Sequence, residues 1–509
     1  MQFNFQWSQW SQWRDGFACT VQPEYAPLAL AWGEVQTNTV YQVKNPMGLL
    51  KRSGMVAILG LGLVIACSHT PQRDSAQSTA QVDGAREWGN NLTLYEVNVR
   101  QFTPEGTFAA FAEHLPRLKD LGVGIIWLMP IHPIGEKNRK GELGSYYAVR
   151  DYLGINAEFG TLADLKNLVG KAHDLGMYVI IDWVGNHTAW DNSLATEHPD
   201  WYVHDKDGDF VAPVADWADV IHLDYKNTEM RRYMIDALAY WVREVDIDGY
   251  RCDVAHMVPV GFWEEARRAL DAIKPVFMLA EAEGPEYHRF AFDSTYAWAL
   301  HGMMNELVKG KKTLADLEAH MAAQLQSYPE DAYQMMFTSN HDENTWNGTV
   351  DERLGPAAEV FAVFAGTVPG IPLIYGGQEA GLNKRLKFFD KDLIDWREDS
   401  RGALYRALVH LKRENPALWH GKNGGDYTRL QTGKDAMVLG FMRSRGEHQV
   451  LVILNFSAEP QEVTLSGKAI VGTYTDLLGK EVVVFGEAPT VELEGWGYLV
   501  LTQSPASTN

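Results

Sequence analysis

From about residue 88 onward the chain alternates short apolar runs with amphipathic helical segments, and this repeat constrains its fold more than any other feature. Apolar runs at 92–99, 123–130 and 177–182 read as strands. Between them, residues 108–121 place Phe108, Phe111, Ala112, Leu115 and Leu118 on one helical face, and 162–175 repeats the pattern. Each helix stops at a glycine, Gly122 or Gly176, so Lys119-Asp120-Leu121-Gly122-Val123 and His173-Asp174-Leu175-Gly176-Met177 are one joint used twice. Such repetition marks a parallel α/β fold. Further strands at 249–254, 276–280, 290–292, 334–338 and 371–375 bring the number to eight, which predicts a (βα)8 TIM barrel over 88–419. Asn227 caps a helix running to Val245, and a helix at 402–414 closes the domain at Asn415-Pro416.

Two departures from the repeat define the remaining organisation. After the third strand, 188–223 has no helical period and carries Trp190, Trp201, Phe210 and Trp217, which reads as a small inserted domain. Its aromatics either stack on a ligand or form the core that so small a domain otherwise lacks, and the core reading is favoured. Asp205-Lys206-Asp207-Gly208-Asp209 within it resembles a calcium loop, but the flanking apolar residues and the Asp-Gly pair fit a β-hairpin turn better. From about residue 420, short alternating segments at 450–456, 462–465, 481–484 and 497–501 predict a C-terminal antiparallel β-sandwich over 420–509.

The N-terminal part reads as an export signal. Lys51 and Arg52 precede an apolar run from Met55 to Ala66, and Leu63-Val64-Ile65-Ala66-Cys67 resembles a bacterial lipobox, so 47–67 is expected to be a lipoprotein signal peptide with a lipid anchor on Cys67. The run is shorter than the roughly 20 residues that span a bilayer. Ser68 after the cysteine favours the outer membrane of a Gram-negative cell envelope. Residues 68–87 form a polar tether, and 1–46 read as an upstream extension ahead of a start at Met47. The net charge of −21, without a basic run in the body of the chain, argues against nucleic acid as a partner. Cys19, Cys67 and Cys252 suggest no disulfide framework, and nothing in the pattern selects an oligomeric state.

Polar clusters sit where the apolar strands end. They are Asp182-Trp183-Val184-Gly185-Asn186-His187, Gly249-Tyr250-Arg251-Cys252-Asp253, Glu281 after its apolar run, and Phe337-Thr338-Ser339-Asn340-His341-Asp342. Parallel βα barrels carry their chemistry on this rim. Asp253 and Glu281 lie 28 residues apart, one βα repeat, so they leave neighbouring strands separated by roughly 4.8 Å. That places two carboxyl groups about 5–5.5 Å apart, the spacing of a retaining glycosidase. Arg251, two residues before Asp253, points to the same face and is expected to hold that carboxylate ionised. The apolar run before Glu281 would desolvate it and favour the protonated form a general acid needs.

In order and spacing these clusters resemble the signature regions of the α-amylase family of glycoside hydrolases, over about residues 88–505. Gly370-Ile371-Pro372-Leu373-Ile374-Tyr375-Gly376-Gly377-Gln378-Glu379 resembles the family's eighth-strand region. The resemblance implies Asp253 as nucleophile, Glu281 as acid/base and Asp342 as the third catalytic carboxylate. It implies that His187, His341 and Asp342 hold the hydroxyls of the sugar at the cleaved bond, with Tyr147, or else Tyr146, stacking beneath it. The substrate it implies is an α-1,4-linked glucan, with no organic cofactor.

Calcium-binding members use a residue matching Asn186, but His222 stands where they carry an Asp, and His256-Met257 replaces their Lys-His after the nucleophile. The calcium (Ca2+) donor set is therefore incomplete. These departures are similar to the neopullulanase and cyclomaltodextrinase branch, with His256 a candidate for the leaving-group side. Cleavage of cyclodextrin or pullulan, or glucan transfer, thus stands as an alternative. A catalytically silent glycan-binding lipoprotein is disfavoured because all three carboxylates are present.

Overall fold

The structure, a computed structural model, describes residues 89–466 and 470–503. The upstream extension, the signal peptide with Cys67 and the tether lie outside the described residues. Eight parallel strands form a closed barrel: β1 Leu94–Val97, β2 Ile125–Leu128, β3 Tyr178–Val184, β4 Gly249–Asp253, β5 Phe277–Ala280, β6 Ser294–Tyr296, β7 Tyr333–Met336 and β8 Ile371–Tyr375, each paired with its neighbours and β8 with β1. The α/β barrel read from the repeat is thus the fold.

Two elements differ from the expectation. The sixth strand is Ser294–Tyr296 rather than 290–292: Phe290 is 63% exposed, while buried Ser294 and Thr295 pair with β5. An apolar criterion passes over a strand whose first two residues are hydroxyls. The helix expected over 108–121 is two helices, Phe108–Ala112 and Leu115–Leu121, with Pro116 in the first turn of the second. Proline has no N–H to continue the first helix's ladder, so the helix restarts there. The other helices follow their signals, and Asn227 accepts the N–H groups of Glu229 and Met230 at the start of Thr228–Val245.

The lumen explains where polar groups can stand. Leu94, Ile125, Trp127, Ile180, Phe277, Leu279, Tyr296, Met335, Phe337, Ile371 and Leu373 form one buried cluster. Side chains alternate along a strand, so two residues beyond Leu94, Ile180 and Leu279 the same inward face carries Glu96, Asp182 and Glu281. The barrel interior is therefore apolar at one end and acidic at its carboxyl end. Gly249 opens β4 at φ +149°, where a Cβ would lie 1.8 Å from the Phe277 carbonyl oxygen, so no other residue fits that approach.

In the insertion, His187–Ala189 pairs antiparallel with Val220–His222. Asp205 turns its carboxylate onto the N–H groups of Asp207 and Asp209, which is hairpin-turn chemistry. Trp201 is buried against His198 and Tyr233, and Trp190 donates to the Ala218 carbonyl, so both pack the insertion. The C-terminal domain is a six-stranded antiparallel sheet faced by a two-stranded one, Gln461–Thr464 with Thr490–Leu493. Among the described residues no helix is long and apolar enough to cross a membrane.

Candidate active site

Arg251 is fully buried at the centre of the rim. Its Nη1 donates to both oxygens of Asp182 (2.9 and 3.0 Å) and to Asp253 Oδ1 (3.2 Å), its Nη2 lies 2.8 Å from Glu281 Oε2, and its Nε donates to Tyr296 (3.1 Å). Trp127, Tyr147 and Tyr296 rings surround the guanidinium at 5.2–5.8 Å. The sequence suggested that Arg251 serves Asp253; in the structure it serves three carboxylates at once. Those carboxylates end neighbouring strands, since Asp182 is in register with Arg251 and the Glu281 N–H bonds the Cys252 carbonyl (3.0 Å).

The Arg251 cation does not cancel the desolvation of Asp182 and Asp253. Burial lifts Asp182 to about 6 despite Arg251, and burial also lifts Asp253 above the ordinary carboxylate range, with Arg251 opposing and Glu281 adding to the rise. Glu281 Oε2 also accepts the backbone N–H of Val254 (2.7 Å). Val254 reaches that position only in a left-handed conformation, φ 34° and ψ 46°, an outlier for a β-branched residue.

A second cation faces the cluster from β7. His341 Nδ1 lies 2.5 Å from Glu96, its Nε2 lies 2.8 Å from the Tyr147 hydroxyl, and Asp342 Oδ2 is 3.4 Å away. Burial would lower its pKa, but the Asp342 and Glu96 carboxylates outweigh burial and raise it to about 9, so His341 is an imidazolium at neutral pH. Tyr147 in turn contacts Asp182 (3.2 Å), which joins the two cations into one network. Tyr146 lies apart: its hydroxyl meets Asn98 and its ring covers Arg100. Of the two tyrosines the structure brings Tyr147 to the carboxylates.

His187 is neutral, because burial and then the neighbouring His222 push its pKa down to about 3. It stands beside Trp217 (5.4 Å between rings). His256 is exposed beyond Glu281, with Nδ1 3.3 Å from the Glu281 carbonyl oxygen. Asn186 is buried and turns its amide nitrogen to His187 Nδ1 (3.2 Å). Among the described residues its Oδ1 is buried without a hydrogen-bond partner, and no group of three or more His, Cys, Asp or Glu side chains gathers to hold a metal. A hard cation takes six to eight oxygens, of which Asn186 Oδ1 would supply one.

Comparison with known proteins identifies the family. Residues 72–429 match the model of the alpha amylase catalytic domain. The chain belongs to the α-amylase family. Within that family it is similar to the noncanonic maltogenic alpha-amylase AmyB from Thermotoga neapolitana, with 33% identity and TM-score 0.75 over 82% of this chain and 99% of that one. It is 29% identical to Alpha-amylase MalA of Haloarcula japonica over 75% of this chain, and 27% identical to a cyclomaltodextrinase of Thermoanaerobacter pseudethanolicus over 71%. The chain spans 58% and 65% of the length of those two relatives. Residues 442–503 match a beta-galactosidase C-terminal domain.

Two members of this α-amylase-family site were not picked out from the sequence. Asp182 opens one of the strand-end clusters and shares the inward parity of Ile180, a signal readable from the sequence. Glu96 lies within an otherwise apolar strand, Leu94–Val97, and a buried acid there asks for a cationic partner.

Proposed function

We propose that this protein is a retaining hydrolase of α-1,4-linked glucans, acting on starch-derived poly- and oligosaccharides. The observation that carries the reading is the Arg251 guanidinium binding Asp253 and Glu281 at neighbouring strand ends, so that nucleophile and acid face one small space. The Val254 N–H donates to Glu281 Oε2 and the Arg251 guanidinium stands 2.8 Å from that oxygen, which leaves Oε1 to carry the proton. Oε1 protonates the glycosidic oxygen as its bond to the anomeric carbon breaks, and Asp253 attacks that carbon from the other side to form a glycosyl ester. The Glu281 carboxylate then takes a proton from water, whose oxygen displaces Asp253, and two inversions give retention. Asp342, His341 and His187 hold the sugar hydroxyls with Tyr147 beneath the ring, and contacts that strengthen towards the oxocarbenium-like transition state lower the barrier. No step is routed through a metal.

Proton NMR of the anomeric products from maltooligosaccharides, run with and without chelator, tests this. The α anomer is expected first, unchanged by chelator, and Asp253→Asn is expected to lose at least about 10³-fold in kcat. First release of the β anomer, or full turnover by Asp253→Asn, would falsify the reading. Similarity to a cyclomaltodextrinase and the exposed His256 favour a second reading, cleavage of cyclodextrin or pullulan, or glucan transfer by the same residues. Products longer than a maltoheptaose substrate identify transfer.

We also propose that Cys67 is lipidated and anchors the enzyme in the cell envelope, a reading supported by the Leu63-Val64-Ile65-Ala66-Cys67 sequence. Incorporation of labelled palmitate, lost in Cys67→Ala, is its test.

A further inference from the structure

The five residues after Asp342, Glu343–Asn347, form a single π-helical turn, a feature that recurs at functional sites. That turn presents the Trp346 side chain outward at 42% exposure, with Nε1 donating to Asp342 Oδ1 (3.3 Å). The Phe388 ring lies 5.2 Å from Trp346 and is nearly parallel to Tyr147, at 6.0 Å and 15°. Phe389 closes the back of the group, 6.0 Å from Trp346. An aromatic wall therefore runs without a break from the tyrosine beside Asp182 to the solvent.

The wall is built rather than incidental. Asn344, in the same π turn, donates to the Lys384 carbonyl and accepts the Leu386 N–H, and Thr345 donates to the Leu386 carbonyl. These three bonds fasten the loop after β8 to the loop after β7 and so fix Phe388 against Trp346. The wall stands on the β7, β8 and β2 loops. Glu281 leaves β5 and exposed His256 follows β4, on the other side of the barrel mouth. The leaving group is protonated at Glu281, so the wall flanks the opposite end of the substrate.

We propose that Trp346, supported by Phe388, is a stacking platform for the second glucose unit on the non-reducing side of the cleaved bond. The inference rests on the α-glucan hydrolase reading and extends it to chain-length preference. Trp346 offers a flat apolar face to the C–H face of a pyranose, and its Nε1 contact with Asp342 places that face beside the sugar being cleaved.

The test compares p-nitrophenyl α-maltoside, which reaches the platform, with p-nitrophenyl α-glucoside, which does not. In Trp346→Ala the ratio of kcat/KM for maltoside over glucoside is expected to fall about tenfold, as for loss of one aromatic contact. Trp346→Phe keeps a ring without the N–H and is expected to recover most of that ratio. A ratio unchanged in Trp346→Ala, or one lost equally in Trp346→Phe, overturns the platform while leaving the hydrolase reading intact. Wild-type enzyme that turns over neither aryl glycoside nor maltoheptaose overturns both. Should Trp346→Ala melt early, Phe388→Leu is read by the same ratio with the same two outcomes.

Discussion

His341 shows how much of this site is decided by single side chains. Its pKa near 9 lies above the value of about 6.5 it has in an unfolded chain, because Asp342 and Glu96 outweigh the effect of burial. A raised histidine stabilises the fold fully below about pH 6.5, and that contribution is lost as pH rises through about 9; its size is on the order of 3 kcal/mol. The melting temperature of wild type relative to His341→Asn is therefore expected to show its widest gap near pH 6 and to narrow towards pH 10. A gap that stays constant over that range sinks the assignment. Activity is expected to fall on the same alkaline limb, since the neutral ring no longer donates from both nitrogens to Glu96 and to Tyr147 or Asp342. The acid limb belongs to Asp253, whose burial moves it above the ordinary carboxylate range.

At the scale of elements, the turn after β4 stores strain for a purpose. A β-branched residue in the left-handed region costs about 1–2 kcal/mol, yet this conformation aims the Val254 N–H at Glu281. Val254→Gly relieves the strain but loosens the turn and adds freedom to the unfolded chain. It is expected to melt close to or above wild type while kcat falls severalfold. A sharp fall in melting temperature with kcat unchanged would show that the side chain, and not the aim of the N–H, matters there. Elements with a clear apolar period, such as Thr228–Val245 and Ile371–Tyr375, were legible in the sequence. The short polar strand Ser294–Tyr296 and the Pro116 restart were not, because pairing with β5 and a missing N–H decide them rather than hydrophobic spacing.

Across the whole molecule, the barrel and the C-terminal domain share one apolar cluster that includes Phe361, Phe364, Phe441 and Phe456. Phe456 stacks on Phe361 at 4.9 Å, and the buried Arg443 crosses the junction to the Thr367 carbonyl (3.0 Å). Phe456→Ala is expected to cost about 3–5 kcal/mol in urea unfolding, with barrel and sheet domain lost in one transition. Two separate transitions would mean that the junction is not part of a single core.

The sequence by itself determined the strand–helix period, the polar clusters at the strand ends and the family they resemble, because all of these are local properties of the chain. Only the tertiary structure decided which groups meet. Glu96 and His341 are 245 positions apart, and Asp182 reaches Arg251 across 69. Closing a cylinder of alternating side chains drives every inward residue at one end towards a common axis, and no period along the chain encodes that convergence.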